Sequence, residues 1–353
     1  MGIGLVASDC LLPVSIVTVT LDCRDFLADM YDAVKAQDYP PELVELIVAD
    51  GGSTDGTVEL AIEQGAQVVT ARQFRDNQES RKLVGIRAAS NDLVALIDSD
   101  NILMGRDWLR RMVRPLIEDA TLVGTQTLRY SFRPTDRLLN RYYALAGGAD
   151  PVACFMRRAD RLSWNHVPEK YRWTEEHRDG YMVATFPVSD FPTLGGNGVI
   201  LRRSMVEKTA TVPEAFFHTD VLYDLAKLGF GRYGIVDVGL VHDTGRSFWR
   251  SLRKRTTYMR THFTSRQVER SYQIIDLSKF RHVARLALFS MYAVTLLPAF
   301  VQSAIWYRKK RDRAWFLHAP VCLAMMFAYT LSALTSPSII RECLRALRIG
   351  APG

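Results

Sequence analysis

Hydrophobic and polar positions alternate along the first hundred residues in the rhythm of a strand–helix–strand fold. Residues 26–37 and 80–89 repeat apolar positions at helical spacing, and the loop 51–57 (GGSTDGT) ends where a helix should begin. Four runs are predicted to be strands of this fold: Val14–Thr20, Val44–Asp50, Gln67–Thr70 and 93–97. The first is continuously apolar or β-branched, as a buried parallel strand is. The alternation predicts an α/β fold with a mostly parallel sheet flanked by helices.

Acidic residues stand at the ends of two predicted strands. Asp50 ends the second strand, and Asp98 directly follows the fourth, with Asp100 two residues later. Because ligands of such sheets bind at the carboxyl ends of the strands, we expect these acids to face one crevice. Paired carboxylates can hold Mg²⁺ or Mn²⁺ while leaving coordination sites for phosphate oxygens. A solvated turn that caps the next helix is the competing interpretation of Asp98 and Asp100.

The loop Asp50-Gly-Gly-Ser-Thr-Asp-Gly-Thr57 has the composition of a ligand-binding turn. Its glycines permit a close approach of the backbone to a ligand and positive φ angles. Asp50 could accept hydrogen bonds from a nucleotide base or from ribose hydroxyls. Asp55 fits equally well as part of an ordinary turn with a helix cap.

Charge is distributed unevenly along the chain. Residues 246–353 contain 19 basic and 4 acidic residues, a balance of +15, whereas residues 1–245 contain 26 basic and 34 acidic residues, a balance of −8. A basic segment of this kind indicates an anionic partner. Arg246, Arg250, Arg253, Lys254 and Arg255 predict a basic amphipathic helix on anionic lipid, with Phe248, Trp249 and Leu252 inserting into the membrane.

Two long stretches near the C-terminus carry no formal charge. They cover 286–307 and 315–334, with 22 and 20 residues, and RKKRDR (308–313) separates them. Each is long enough to cross a hydrocarbon core of about 30 Å, and Pro298 could kink the first. Two spans would place RKKRDR outside the cell, against the positive-inside tendency, whereas a re-entrant hairpin would not. No signal peptide is recognisable at the N-terminus, so we expect a cell-membrane protein with its catalytic domain on the cytoplasmic side.

Three motifs in a fixed order resemble the family-2 inverting glycosyltransferases of the GT-A fold. They are SIVTVT, VADGGSTDGT and NQESRKLVGIRAASNDLVALIDSD, and the resemblance covers about residues 13–245. It implies that Thr20, Asp22 and Asp50 hold the nucleotide of a UDP- or GDP-sugar, and that Asp98 and Asp100 hold the metal and the donor. Leu21 and Cys23 stand where the family usually has an aromatic residue and a Glu.

The same resemblance implies an acceptor side with a general base. Asp220 is the predicted base, with His218 and Asp224 as alternatives, since an inverting transfer needs a group that takes the proton of the acceptor hydroxyl. Gly196 and Asn197 of GGNG (195–198) resemble the acceptor-binding segment. His242 follows an apolar run and could complete the metal shell, although a purely structural histidine fits as well.

These features predict a GT-A domain at 1–245, a basic membrane-interface segment at 246–285 and two hydrophobic helices with a basic tail at 286–353. We expect a hexosyltransferase-type enzyme that acts on a lipid-linked or polysaccharide acceptor at membrane lipids. The alternative is a membrane-attached scaffold with an inactive transferase domain. A dehydrogenase is disfavoured because no G-x-G-x-x-G follows the first strand. Nucleic acid is disfavoured because long apolar runs accompany the basic tail.

Overall fold

The computed structural model describes residues 11–165, 174–244, 247–259 and 270–335. The chain divides into two compact units. The first, here called the sheet unit, comprises Met1–Ser131 and Arg172–Asp243, and the second, the helical unit, comprises Phe132–Tyr171 and Thr244–Gly353. The predictions for Arg246 and for the basic tail beyond residue 335 lie outside the described residues.

A nine-stranded mixed sheet forms the centre of the sheet unit. The described residues form eleven strands, of which nine belong to this sheet. They are β1 (Val14–Thr20), β2 (Val44–Asp50), β3 (Gln67–Thr70), β4 (Leu93–Leu96), β5 (Asn101–Leu103), β6 (Gly124–Thr127), β7 (Thr174–Arg178), β8 (Tyr181–Thr185), β9 (Val199–Arg202), β10 (Arg232–Val236) and β11 (Leu240–His242). The large sheet has the order β3-β2-β1-β4-β9-β6-β10-β8-β7, and β5 pairs with β11 in a separate two-stranded sheet.

The parallel half of the sheet agrees with the strand predictions. β1 runs parallel to both β2 and β4, and its last residue, Thr20, lies opposite Asp50. The other half is mixed, because β9 runs antiparallel between β4 and β6, and β7 and β8 form an antiparallel hairpin. The predicted α/β fold is therefore confirmed, with a continuous run of parallel strands at the edge that carries the acidic loops and a single further parallel pair, β6 with β10, in the mixed half of the described sheet.

Helices cover this sheet and also form the second unit. They are α1 (Arg24–Lys35), α2 (Thr57–Glu63), α3 (Gln78–Ala88), α4 (Trp108–Glu118), α5 (Leu138–Ala146), α6 (Pro151–Phe155), α7 (Arg203–Glu207), α8 (His218–Lys227), α9 (Phe248–Met259), α10 (Phe280–Thr295), α11 (Leu297–Lys309) and α12 (His318–Leu334). α3 begins at Gln78 because the Asn77 side chain accepts hydrogen bonds from the backbone N–H groups of Glu79 and Ser80. α1 and α3 confirm the two predicted helices.

The helical unit has its own core around Trp315, Tyr142 and Val321. Phe248 and Leu252 of α9 pack against this core, whereas Trp249 is 73% exposed. Of the three side chains predicted to insert into lipid, two are therefore used inside the protein. Arg250, Arg253 and Lys254 are exposed on the same helix, whereas Arg255 bonds Asp150 and Tyr329 inside the unit.

The first hydrophobic stretch is broken into two helices. α10 and α11 meet at an angle of 85°, and Leu296 between them has φ +57°. Pro298 occupies the first turn of α11, where a missing N–H costs no helix hydrogen bond. The bend that the sequence suggested at Pro298 therefore lies two residues before it. Among the described residues, one continuous helical segment, Arg313–Leu334 with 22 residues, is long and apolar enough to cross a membrane, and the bent pair α10 and α11 passes the same test only if the two helices are taken together.

Candidate active site

Asp50 organises the loop after β2. Its Oδ1 accepts hydrogen bonds from Thr20 Oγ1 at 2.9 Å and from Ser53 Oγ at 2.5 Å. Its Oδ2 accepts the backbone N–H groups of Gly52 at 2.7 Å and Ser53 at 2.9 Å. Burial alone would raise the pKa of Asp50, but the bonds from Ser53, Gly52 and Thr20 outweigh it and lower the pKa. Both oxygens of this buried carboxylate are thus engaged within the chain.

The loop after β1 is joined to the loop after β2 by a set of short contacts. Asp22 has φ +48°, and its Oδ1 accepts the Thr54 N–H at 2.8 Å while its own N–H donates to Ser53 Oγ at 2.9 Å. Asp55 accepts the backbone N–H groups of Arg24 and Thr57. Asp55 therefore has the turn role that the sequence allowed for it, whereas the residue at the N-cap of α2 is Gly56.

Arg75 is an exposed cation beside these two loops, and no motif in the sequence pointed to it. Its guanidinium donates to the Gly52 carbonyl at 2.7 Å and lies 3.4 Å from Asp22 Oδ2. The Arg75 side chain remains 48% exposed. A guanidinium so placed can bind a phosphate or a carboxylate of a ligand.

Asp98 and Asp100 lie on a tight turn that leaves β4. The Asn101 N–H donates to the Asp98 carbonyl at 2.9 Å, which closes the turn. β5 then pairs with β11, and this pairing places His242 opposite Asn101. As a result His242 Nε2 lies 3.3 Å from Asp100 Oδ1. The structure brings together Asp100 and His242, which are 142 positions apart in the chain.

The geometry of this pair fits a divalent cation. Neighbouring oxygen or nitrogen ligands of an octahedral Mg²⁺ or Mn²⁺ are about 3 Å apart, given metal–ligand distances of ~2.1 Å. The 3.3 Å between Asp100 Oδ1 and His242 Nε2 is close to that separation, and both side chains are partly exposed. Within the described residues, no three His, Cys, Asp or Glu side chains form one ligand group. A shell built from one or two protein ligands plus phosphate oxygens is the usual arrangement for Mg²⁺.

Asp98 has a partner that the sequence did not indicate. Lys82 Nζ lies 3.6 Å from Asp98 Oδ1 and 3.7 Å from Glu79 Oε1, and it donates a hydrogen bond to the Gly196 carbonyl. The Lys82 side chain is only 3% exposed. Burial would lower the pKa of this lysine, but Asp98 and Glu79 outweigh it and raise the pKa, so the ammonium stays charged.

Glu79 also connects α3 to the start of α8. Its Oε2 accepts hydrogen bonds from His218 Nδ1 at 2.7 Å and from the His218 backbone N–H at 3.3 Å. The other ring nitrogen, Nε2, lies 3.4 Å from the position that a Cβ on Gly196 would take. His218 is therefore held by a carboxylate on one side and lies against the Gly196 backbone on the other.

The two other candidates for the base lie further along α8. Asp220 is in the first turn of the helix and is 8% exposed. Asp224 lies one turn later and forms an ion pair with Lys227 at 2.7 Å. Of the three candidates, His218 and Asp220 belong to the end of the helix that is close to Gly196, and Asp224 has the setting of a helix-surface residue.

The segment 195–198 needs its glycines. Gly195 and Gly198 have φ +91° and +56°, and a Cβ at Gly198 would lie 2.1 Å from Leu240 Cδ2. Asn197 is buried, and its Oδ1 accepts a hydrogen bond from Tyr130 at 2.9 Å. Gly196 and Asn197, the two predicted acceptor residues, thus lie in a constrained turn next to His218.

Cys23 lies between the loop after β1 and the turn after β4. Burial raises the pKa of its thiol, and this effect outweighs the lowering effect of the nearby Ser99. Where the resemblance led one to expect a carboxylate, the chain therefore holds a neutral side chain in contact with the Asp98–Asp100 turn.

Comparisons with known proteins identify the fold of the chain. Residues 15–182 match the model of Glycosyl transferase family 2. The mannosyltransferase PcManGT of Pyrobaculum calidifontis, solved with GDP-Man and Mn²⁺, aligns with a TM-score of 0.54 and 15% identity over 92% of this chain and 88% of that one. The fold is thus of the GT-A type. No protein with a curated description matches the sequence.

Two further solved structures align over much of the chain at lower similarity. Glucosyl-3-phosphoglycerate synthase of Mycobacterium tuberculosis, solved with Mn²⁺, UDP and glucosyl-3-phosphoglycerate, has a TM-score of 0.43 and 22% identity over 72% of this chain and 81% of that one. TarS 1–349 of S. aureus has a TM-score of 0.45 and 13% identity over 90% of both chains.

Proposed function

We propose that the chain is a family-2 glycosyltransferase that moves a hexose-type sugar from a nucleotide-sugar donor to an acceptor hydroxyl, with inversion. The observation that carries the proposal is the pair formed by Asp100 and His242, 3.3 Å apart at the end of β4. The family match over residues 15–182 supports the same reaction class.

On this proposal the joined loops after β1 and β2 bind the nucleotide of a UDP- or GDP-sugar. Thr20 and Asp50 stabilise the loops from the protein interior, because their buried side chains are hydrogen-bonded to each other. Asp22 and Arg75 are the more exposed groups of this rim. We therefore assign them the direct contacts to base, ribose or phosphate, and we assign Asp50 the positioning of the loop.

Asp100 and His242 would bind Mg²⁺ or Mn²⁺ beside the diphosphate, and Asp98 would complete the site on the donor side of the same turn. The bound ion neutralises the negative charge that develops on the departing nucleoside diphosphate. Asp100 and His242 supply the nearest pair of ligand atoms. Asp98 orients the turn and is itself oriented by Lys82.

The acceptor would enter along the 195–198 segment. Gly196 and Asn197 line that side, and the base takes the hydroxyl proton as the oxygen attacks the anomeric carbon opposite the leaving diphosphate. Asp220 is the proposed base, and His218, oriented by Glu79, is the competing group. A carboxylate or imidazole that removes this proton contributes roughly 10²- to 10⁴-fold to such a reaction.

The helical unit supports an acceptor that resides at a membrane. Its helices expose large apolar side chains to the surroundings: Leu288, Met291, Val294, Leu297, Phe300, Val301, Ile305, Phe327 and Leu331. The last residue of α11 and the segment that follows it contribute Lys309, Lys310, Arg311 and Arg313. Apolar side chains beside clustered cations fit an anionic lipid surface, and with it a lipid-linked or polysaccharide acceptor.

The bend between α10 and α11 favours a re-entrant or interfacial hairpin over two spans. α10 has 16 residues and α11 has 13, which give lengths of about 24 and 20 Å at 1.5 Å per residue, short of the ~30 Å of a hydrocarbon core. A hairpin keeps the basic residues on the cytoplasmic side. We therefore propose attachment to the cell membrane with the catalytic domain in the cytoplasm.

A donor-hydrolysis screen tests the proposed function. The purified full chain is incubated with UDP- and GDP-sugars in the presence of Mg²⁺, Mn²⁺ or EDTA, and the released nucleoside diphosphate is measured. Turnover of one donor that stops with EDTA and in Asp100→Ala supports the proposal. The control is Asp107→Ala, which removes an exposed carboxylate of α4 paired with Arg111.

The competing function is a membrane-attached scaffold with an inactive transferase domain. Cys23, a neutral group where the family usually has Glu, is the observation that favours it. Titration calorimetry with UDP and GDP, each with and without Mn²⁺, separates the two. Metal-dependent binding with no turnover of any donor would favour the scaffold as a nucleotide-sugar binder, and no binding at all would contradict both nucleotide assignments.

A further inference from the structure

Lys82 connects two sides of the site that the sequence treats as separate. It projects from α3 and contacts Asp98 on the donor side, and it donates a hydrogen bond to the Gly196 carbonyl on the acceptor side. Glu79, one turn earlier on the same helix, is its second anionic neighbour at 3.7 Å. A lysine that is 3% exposed is rare in proteins unless such partners hold it.

The rest of the 195–198 segment is fixed by neutral bonds at its ends. The Gly195 N–H donates to Gln126 Oε1 at 3.3 Å, and the Gly198 N–H donates to the Leu96 carbonyl at 2.7 Å. Gly196 lies between these anchors, and the ammonium of Lys82 is the charged donor to its carbonyl. Hydrogen bonds from a charged group are the stronger ones, so Lys82 has a large influence on the position of this turn.

The attraction between Lys82 and Asp98 depends on the charge of the Asp98 carboxylate. A divalent cation that binds in the Asp98–Asp100 turn and carries the diphosphate attracts the Asp98 carboxylate, and so weakens the attraction between Asp98 and the ammonium of Lys82. The ammonium then bonds the Gly196 carbonyl more strongly, because Asp98 competes less for it. By linkage, a better-held Gly196 also favours the donor-bound state.

We propose that Lys82 is a positioning residue that couples donor binding at Asp98 to the order of the acceptor-side segment 195–198. The proposal rests on the proposed function, since it needs a donor that binds at Asp98. On this proposal α3 transmits the effect of donor binding: the donor binds first, and the acceptor-side segment 195–198 becomes more ordered in response. Neither carboxylate needs to change its protonation for this coupling.

Hydrogen–deuterium exchange of the full chain in detergent tests the coupling. Peptides that contain Gly196 and Asn197 are followed with no ligand, with Mn²⁺ alone, and with Mn²⁺ plus UDP or GDP. In the wild type we expect exchange there to slow at least about threefold when Mn²⁺ and nucleotide are added. In Lys82→Met we expect exchange about tenfold faster without ligand, and no further slowing with it.

Two additional variants keep the test decisive. Arg87→Met removes an exposed cation of the same helix, which bonds the Thr211 carbonyl at 2.9 Å, and should behave as wild type. The double variant Glu79→Gln/Lys82→Met removes both buried charges together. It replaces Lys82→Met in the exchange experiment if the single variant fails to fold. Mn²⁺ binding, measured by electron paramagnetic resonance, should be unchanged or tighter in both Lys82 variants, because a positive charge near Asp98 is lost.

The outcomes separate the coupling from the proposed function. The coupling alone is overturned if the wild type binds nucleotide but exchange in the 195–198 segment does not slow. It is also overturned if exchange slows equally in the Lys82 variants. The coupling is also overturned if Mn²⁺ binding weakens in both Lys82 variants while exchange in the 195–198 segment still slows normally with ligand. In that case Lys82 would only hold the Asp98 carboxylate in place for the metal. Absence of nucleotide binding in wild-type calorimetry overturns the proposed function, and the coupling with it.

Discussion

Asp50 and Asp100 both follow buried parallel strands, yet the chain uses their carboxylates differently. Asp50 accepts four hydrogen bonds from its own loops and is 4% exposed. Asp100 is held on one side by a turn, and its Oδ1 faces His242 at 3.3 Å. An acid at a strand end can therefore either organise a loop or offer oxygens to a ligand, and its position on the sheet does not decide which.

The residues that follow each acid determine whether its carboxylate is bonded within the loop or left available to a ligand. Asp50 is followed by Gly52 and Ser53, which supply two backbone donors and one hydroxyl within reach of a short side chain. In the turn after β4, Asn101 supplies the donor for the backbone turn, and a partner for Asp100 comes from the distant β11. The Asp50 carboxylate is bonded by the residues that follow it and by Thr20 of the neighbouring strand. Asp100 Oδ1 accepts one long hydrogen bond from Asn101 Nδ2 at 3.4 Å and meets a histidine that only tertiary structure can provide.

The largest effect expected from this contrast is the loss of activity in Asp100→Ala. We expect turnover of the donor to fall on the order of 10³-fold, because a metal ligand contributes several kcal/mol of charge stabilisation. The midpoint of thermal unfolding should stay close to that of wild type, since Asp100 is partly exposed. Asp98→Ala should lose activity as well, but also stability, because Lys82 loses a partner. Equal unfolding midpoints for the two variants would contradict the role given to Lys82.

The second prediction extends the contrast to the acids and the histidine of α8. We expect Asp220→Asn to lower transfer by about 10²- to 10⁴-fold while donor binding is retained. Asp224→Asn should change it by less than about threefold, because Asp224 pairs with Lys227 at the helix surface.

His218→Gln decides between the two remaining bases. A loss in His218→Gln that exceeds the loss in Asp220→Asn, with an altered pH–rate profile, would move the base to the histidine. Calorimetry with the nucleotide is the control for both variants, because the base contributes to proton transfer and not to donor binding.

The third prediction concerns stability at Asp50. Asp50→Ala leaves donors of Thr20, Gly52 and Ser53 without their acceptor, so we expect the free energy of unfolding to fall by about 2–3 kcal/mol. Thr20→Val removes one of these donors and should cost roughly 1 kcal/mol. Denaturant unfolding measures both. A loss in Asp50→Ala no larger than that in Thr20→Val would mean that the loop is held by other contacts.

The smallest expected effect is a pH dependence of the same carboxylate. The pKa of Asp50 is lowered in the folded state, so its contribution to stability is fully present above the unfolded pKa of about 3.9 and is lost as the pH falls through the folded value. The difference in unfolding free energy between wild type and Asp50→Asn should be constant above about pH 5 and shrink below about pH 4. A difference that grows on acidification would contradict the sign of the shift.

Local patterns in the sequence were sufficient to predict the strands of the parallel half of the sheet. β1, β2 and β3 have the predicted bounds. β1 is an almost wholly buried run of apolar and β-branched residues, which has few alternatives to a strand, whereas β3 at the edge of the sheet has exposed ends. The antiparallel insertion of β9 was not predictable, since pairing partners are set by tertiary topology and not by the four residues of the strand. The grouping of Phe132–Tyr171 with the C-terminal helices is likewise a long-range property.

The candidate site was predictable to the extent that it lies at strand ends. Asp98, Asp100 and His242 were identified because each follows an apolar run. Glu79 and Lys82 were not, since a charged side chain on a helix is ordinarily solvated, and nothing in the spacing of α3 shows that these two point inwards. Their assignment depends on Asp98, Gly196 and His218, which come from three other parts of the chain.

The self-contained bonding of Asp50 has a consequence for ligand recognition. The loops after β1 and β2 have their shape before any nucleotide arrives, because Asp22, Asp50 and Asp55 already hold them. A preorganised cradle loses little conformational entropy upon association, so the strength of donor binding should depend mainly on the few outward groups such as Arg75. Specificity for one base over another can then change through a single exposed side chain without remodelling the loop beneath it.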